Sequence, residues 1–238
     1  MNLNAALCSS ALLVASACQF TTPIGATQND AQADDAPTGS DAPNSNLTCR
    51  VGAGLIGSDE GQVGLSTGGG TKTALACLTT DRIIGVALYM SQQPVNGGDT
   101  DSAQGIRIAC APITIDHSGG HTGAVYTMDV VGFGGSGFTP AALTGLAECA
   151  DGEAVTGLQV YGSHYGNLFL SATIYCTGVD VTGQSTTTTA VPIAGSGADT
   201  MNPSQVSCPK NDQIVTLVPD TGAGLDSVEV FCAPTKCN

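Results

Sequence analysis

Basic residues are scarce in this 238-residue chain: six Lys and Arg stand against 20 Asp and Glu, giving a formal net charge of -14. That balance speaks against nucleic acid as a partner, because no basic stripe exists to displace counterions from phosphates. Charged residues make up only 11% of the chain, aromatics 4%, and there is no tryptophan. Ten cysteines are present but no C-x-x-C pair, and the spacings between them do not suit zinc. Neither a G-x-S-x-G motif nor a P-loop occurs, and the glycine runs precede turns rather than helices. No helical periodicity extends past the first twenty residues. No cofactor, metal or catalytic residue is assigned on this basis.

What is present points to an all-β chain. There are 32 glycines, many Val, Ile and Thr, and turn clusters frequent enough to separate short strands. The stretch CPKNDQIVTLVPDTGAGLDSVEVFC (208–232) holds two strand-like runs, 213–218 and 225–231, around a Pro-Asp-Thr-Gly-Ala-Gly turn, with a cysteine at each outer end. It reads as a hairpin clamped at its base. Residues 77–110 and 149–176 repeat it. Ile83, Val155 and Ile214 stand six residues after the opening cysteine, and Gly85, Gly157 and Thr216 stand eight after. Ile106 and Ile108, Ala172 and Ile174, and Val228 and Val230 stand four and two before the closing one. GQVGLSTGGG (61–70), VYTMDVVGFGGSG (125–137) and TTTAVPIAGSG (187–197) each place a strand before a glycine-rich turn ahead of an opening cysteine. Three repeats of about four strands each follow. Further short strands are expected at 113–115 and 179–181. The alternative is one irregular sandwich.

The repeats pair Cys77 with Cys110, Cys149 with Cys176 and Cys208 with Cys232. Cys49 and Cys237 are left over, and a bond between them would tie the ends of the domain together. Residues 1–17 end in Ala15-Ser16-Ala17, a small-residue processing signature rather than a membrane span. The run Leu13-Val14-Ala15-Ser16-Ala17-Cys18 resembles a bacterial lipobox, which would make Cys18 a palmitoylated N-terminus. Ala15 replaces the usual leucine, and the first basic residue is Arg50. Cleavage without lipidation is the rival reading. Parity favours lipid: without Cys8 and Cys18, eight cysteines remain and make four pairs. Residues 18–46 form an Asp/Ala/Pro-rich flexible tether spanning on the order of 30 Å, ahead of a domain over 47–238. Asn46-Leu47-Thr48 is a sequon, meaningful in a eukaryotic source. The expected location is the cell envelope, as an outer-membrane or surface lipoprotein touching membrane through its lipid only, or else secreted.

GGDTDSAQGIRIAC (97–110), following CLTTDRIIGVALYMSQQ, resembles the repeat of the vitelline membrane outer layer protein family, over roughly 49–237. The resemblance implies a β-prism of the jacalin type, three four-stranded Greek-key sheets about a pseudo-threefold axis. The family's glycine motifs contain tryptophans that this chain lacks, so nothing resting on those aromatics is implied here.

Gly222-Ala223-Gly224-Leu225-Asp226 also resembles the G-x-x-x-D loop of jacalin-related lectins, which implies backbone N–H groups and the Asp226 carboxylate as donors and acceptor for sugar hydroxyls. A plain hairpin turn with Asp226 exposed is the alternative. The corresponding turns carry Asp99 and Asp101 in the first repeat and His164-Tyr165-Gly166-Asn167 in the second. Asp99 and Asp101 fall short of a calcium ligand set. Asp116-His117-Ser118-Gly119-Gly120-His121 offers two histidines and an acid, but its glycines exclude the helix that would align the histidines for a metal. His164 beside Ser163 has no partner acid identifiable from sequence. The reading is a non-catalytic carbohydrate-binding or coat module with a glycan as ligand. A glycan-modifying enzyme or a purely structural disulfide-stabilised surface protein are the alternatives, and the balance leans against an enzyme.

Overall fold

The structure, a computed structural model, describes residues 47–51, 58–64, 70–91, 102–116, 118–131, 142–162, 169–180, 184–193, 203–222 and 224–237. Residues 1–46, with the expected signal segment, Cys18 and the expected tether, lie outside these residues. In chain order the strands are β1 (Leu47–Val51), β2 (Ser58–Gly64), β3 (Thr71–Lys72), β4 (Leu75–Ala76), β5 (Asp81–Ser91), β6 (Ser102–Asp116), β7 (Gly119–Thr122) and β8 (Tyr126–Val131). They continue with β9 (Ala142–Leu143), β10 (Ala147–Glu148), β11 (Glu153–Gly162), β12 (Phe169–Val179), β13 (Ser185–Ile193), β14 (Pro203–Ser207), β15 (Asp212–Thr221) and β16 (Leu225–Cys237). Every regular element among the described residues is a strand.

Three long antiparallel hairpins, β5–β6, β11–β12 and β15–β16, coincide with the three cysteine-bounded units. An outer pair widens each to four strands. The second hairpin is flanked by β13 and β14, and the first by β8 together with the interrupted strand β9/β10. In both, the outer pair follows its hairpin in the chain. The third hairpin instead takes β2 and the interrupted strand β3/β4 from the front of the chain. Sheet three therefore closes the ring by joining residues 58–76 to residues 212–237. The inner strands β5, β11 and β15 touch one another pairwise, which sets the three sheets as the faces of a prism around one axis.

The spacings shared by the repeats mark a bulge. Ile83, Val155 and Ile214 face Cys110, Cys176 and Cys232, and in every hairpin the register then slips before Gly85, Gly157 or Thr216. One extra residue resets which face looks inward. Val86, Leu158 and Leu217, three positions beyond the first inward residue, thus point into the core, which strict alternation would forbid. A second slip occurs near the hairpin tips, where Gln104, Leu170 and Asp226 are the extra residues on the returning strands.

The inward side chains of all three sheets form one cluster, including Ile83, Leu88 and Ile108, then Leu158 and Ile174, then Ile214, Leu217 and Val230. No single four-stranded sheet could bury both its faces; sharing one core lets each bury one. The expected strands at 113–115 and 179–181 are not separate elements. Ile113–Ile115 continues β6, held straight by pairing with β1 and β7, and Val179 ends β12. Strand β1 also pairs with the end of β16, so it bridges the first and third sheets.

Cys77–Cys110, Cys149–Cys176 and Cys208–Cys232 are bonded as the repeats require. They do not clamp hairpin bases, however. Cys77 follows β4 of the third sheet and bonds β6 of the first; Cys149 follows β10 of the first and bonds β12 of the second; Cys208 follows β14 of the second and bonds β16 of the third. Each bond staples two neighbouring sheets, and the three together form a girdle. Cys49 lies directly opposite Cys237 in the β1–β16 register.

Candidate functional site

The third hairpin differs from its counterparts at two matched positions that flank the tip. Twelve residues after the opening cysteine stand Tyr89, Tyr161 and Asp220, and six before the closing one stand Gln104, Leu170 and Asp226. Carboxylates occupy both positions in the third repeat only. Asp220 is 5% exposed, and its Oδ1 has no hydrogen-bond partner among the described residues. Asp226 is half-buried as the bulged residue, and burial, followed by the charge of Asp220, raises its carboxyl above the usual aspartate value.

Glycines allow the approach. A Cβ on Gly70 would come within 2.2 Å of Asp220 Oδ1 and 2.8 Å of the Thr221 carbonyl carbon, so no larger residue fits unless the turn moves. One on Gly222 would lie 3.6 Å from Asp226 Oδ2 and 3.7 Å from Gly70 Cα. The front-of-chain segment at Gly70 and the tip at Gly222 thus meet backbone to backbone beside both acids. A shallow cleft of about 270 Å³ opens there, lined by Gly70, Thr71, Thr73, Val131, Thr221 and Gly222 among others. Val131 is 41% exposed and gives the cleft an apolar wall.

Of the five residues expected from the loop, the structure keeps two as surface groups and removes two. Leu225 is fully buried and packs in the core, and Gly224 is buried, its carbonyl accepting the Gly222 N–H at 2.9 Å. The Gly222 N–H is therefore spent within the turn and not offered outward. Ala223 lies outside the described residues, as do Asp99, Asp101, Ser163 and the 164–167 segment. Asp220 and Gly70 went unnoticed in the sequence, although the twelve-residue spacing would have found Asp220.

A second cluster lies at the opposite end of the sheets. Strand β1 pairs with the C-terminal ends of both β6 and β16, so those ends share one side of the prism and the hairpin tips lie at the other. Beyond β6, the β6–β7 turn presents Ser118, whose Oγ lies 2.9 Å from His121 Nε2. His121 Nδ1 lies 3.1 Å from Asp151 Oδ2. Asp151 also accepts the Thr122 N–H at 2.7 Å, while Thr122 Oγ1 accepts the Gly152 N–H at 2.9 Å. The turn after Cys149 is thereby locked onto β7. Asp116 Oδ1 accepts from Ser118 N at 2.7 Å and from Ser118 Oγ at 2.5 Å. Hydrogen bonding to Asp151, then the charges of Asp116 and Asp151, raises His121 above the usual histidine value; Asp151 is lowered, first by the Thr122 N–H and then by His121. His117 lies outside the described residues, and the glycines expected to forbid a helix form a hairpin instead. Asp151 comes from the next repeat, which is why a search within six residues missed it.

A further cleft, about 330 Å³, lies over the second sheet. Four of its hydroxyls are already engaged: Thr177 Oγ1 bonds those of Thr156 and Thr188, and Tyr175 donates to Gln159.

No protein-family model matches the chain, and no curated protein matches it in sequence. Among solved structures it is similar to the Calystegia sepium agglutinin, at 16% identity over 74% of this chain and 96% of that one, with a TM-score of 0.47. It is similar also to a Malaysian banana lectin, at 16% identity, 75% and 99% coverage and TM-score 0.46. A single-chain recombinant jacalin aligns at 16% identity, 76% and 97% coverage and TM-score 0.43. The prism described above rests on the strand pairings of this chain.

Proposed function

We propose that the domain is a carbohydrate-binding module whose site is the tip of the third hairpin. The observation that carries this reading is the pair Asp220 and Asp226. Of the matched positions twelve after the opening cysteine and six before the closing one, the third repeat alone has carboxylates at both, beside the Gly70–Gly222 approach and a cleft edged by threonines. A carboxylate accepts two sugar hydroxyls, and a backbone without Cβ atoms lets a flat ring approach. Asp226 accepts from the ligand; Thr71, Thr73 and Thr221 edge the site; Val131 meets an apolar ring face. Asp220 acts on Asp226 through its charge. Being shallow and polar, such a site binds weakly, at about millimolar strength or about 4 kcal/mol, since each hydroxyl trades water for protein.

The resemblance to vitelline membrane outer layer proteins supports a coat setting for the same module. Cys18 and the tether would hold it at a cell surface. The test is a glycan array followed by titration of the best mono- and oligosaccharides against wild type and Asp226→Ala. Binding lost in the variant with an unchanged melting curve is the expected result. Equal binding by both proteins, or by neither at tens of millimolar, replaces the lectin reading with a structural coat protein.

A further inference from the structure

We propose that Ser118, His121 and Asp151 form a second, independent site: a solvent-open serine acyl-transfer centre that hydrolyses small acyl esters. The geometry carries it. Asp151 is an acceptor only, so the 3.1 Å contact fixes the proton of His121 on Nδ1 and leaves Nε2 as an acceptor facing Ser118 Oγ at 2.9 Å. Nucleophile, base and orienting acid thus stand in the order that acyl transfer requires. They come from two repeats and are held by separate contacts, since the Thr122–Asp151 and Gly152–Thr122 bonds fix the acid while the Asp116–Ser118 N–H bond fixes the serine. A cleft of about 340 Å³ opens directly on Ser118 and Asp151 and is floored by Gly119, Gly120 and Gly152. Its volume accommodates a short acyl group.

In the reaction, Ser118 Oγ bonds to the ester carbonyl carbon as its proton passes to His121 Nε2, and the carbonyl π pair moves to oxygen. When the carbonyl re-forms, the bond to the alcohol breaks and the leaving oxygen takes the proton from Nε2. Water then attacks the acyl-serine, giving a proton to His121, and the acyl group leaves as the carboxylic acid while Ser118 regains its hydrogen. Ser118 and His121 are the catalytic residues, and Asp151 is a positioning residue. Asp116 acts against them, because its Oδ1 competes with Nε2 for the Ser118 hydroxyl. Among the described residues, the charged groups facing His121 and the cleft are Asp116 and Asp151 directly, with Glu153 and Asp180 at the rim. All are acidic, so the rate rises with pH through a value above that of an ordinary histidine.

The experiment uses the full chain with 4-nitrophenyl acetate as substrate and a fluorophosphonate as covalent probe. Wild type is expected to gain one phosphonyl group on the peptide containing Ser118. Ser118→Ala and His121→Ala are expected to lower hydrolysis on the order of 100-fold, the usual range for loss of general base catalysis. Asp151→Asn puts a donor against Nδ1 and turns the imidazole to the wrong tautomer, lowering the rate without unfolding. Asp116→Asn keeps the acceptor for the Ser118 N–H and moves the rate–pH midpoint down. All four positions are at the surface or close to it, and circular dichroism melts show whether each variant is folded. Absence of labelling, labelling at another serine, or wild-type hydrolysis equal to that of folded Ser118→Ala overturns the proposal. Glycan binding at the far end is read separately and is unaffected by either outcome.

Discussion

Arg82 Nε donates to Gln213 Oε1 at 2.6 Å, across 131 residues, and the two occupy the same position in the first and third repeats, five residues after the opening cysteine. The second-repeat equivalent, Ala154, is fully buried. One repeat position thus holds a polar pair in two repeats and a methyl group in the other. Arg82 is itself buried, with its pKa lowered by that burial to about 10 despite nearby Asp81, and its Nη2 has no partner among the described residues.

Gln213→Ala strips a buried guanidinium of its acceptor and is expected to cost about 3 kcal/mol. The double variant Arg82→Met, Gln213→Leu removes both polar partners and should recover most of that loss. Urea midpoints of the wild type, Arg82→Met, Gln213→Leu and the double measure the coupling. A double variant as unstable as the sum of the singles argues against the pair.

Because each disulfide joins two sheets, losing any one loosens the seam between two faces and leaves the hairpins themselves intact. Replacing Cys149 and Cys176 by alanine should cost about 3 to 4 kcal/mol by the chain-entropy model, with far-ultraviolet dichroism largely kept. Non-reducing peptide maps should also join Cys49 to Cys237, which the register sets opposite each other. A free thiol at either position shows that the register is not sealed covalently.

Sugar binding through Asp226 requires the ionised carboxylate. Burial and Asp220 raise its pKa, so affinity is present above that raised value and is lost as pH falls through it, at higher pH than for an ordinary aspartate. Asp220→Asn should move the loss to lower pH. A binding midpoint unmoved by the substitution removes Asp220 from the site.

Gly152 has φ of +74°, and a Cβ there would meet the Gly120 carbonyl oxygen at 2.2 Å. Gly152→Ala should destabilise by about 1 to 3 kcal/mol and separate Asp151 from His121. The fall in ester hydrolysis should then match that of Asp151→Asn.

For anchoring, Cys18→Ser should release the protein from membranes, and radiolabelled palmitate should mark the wild type alone. A mature protein with a free Cys18 ends the lipoprotein reading.

The three hairpins and their cysteine pairs were legible because bulge, core position and disulfide recur at fixed intervals. The bulge itself was not. It makes Ile83 and Val86, or Ile214 and Leu217, three apart on one face, which breaks a two-residue period without creating a helical one. Nor could spacing tell which sheet an outer pair joins, since β8 to β10 lie between two hairpins and the intervals are the same either way. At the hairpin tip, motif matching included Leu225, which the structure buries, because five letters do not show that a residue beside a bulge turns inward. Asp151 and His121 meet only because the turn after Cys149 docks on β7, a contact between repeats that no local pattern encodes.

The third sheet has a consequence for the order of events during synthesis. β2 to β4 leave the ribosome, or an export channel, well before β15 and β16, and until residues 212–237 follow they have no hairpin to pair with. For that interval they are open strand edges, able to pair with the wrong chain. The closure that completes the ring also joins strands from near opposite ends of the domain, so assembly should be slow and limited by that step. The exposed lysine of β3, Lys72, and the two-residue lengths of β3 and β4 suit strands that must wait without sticking.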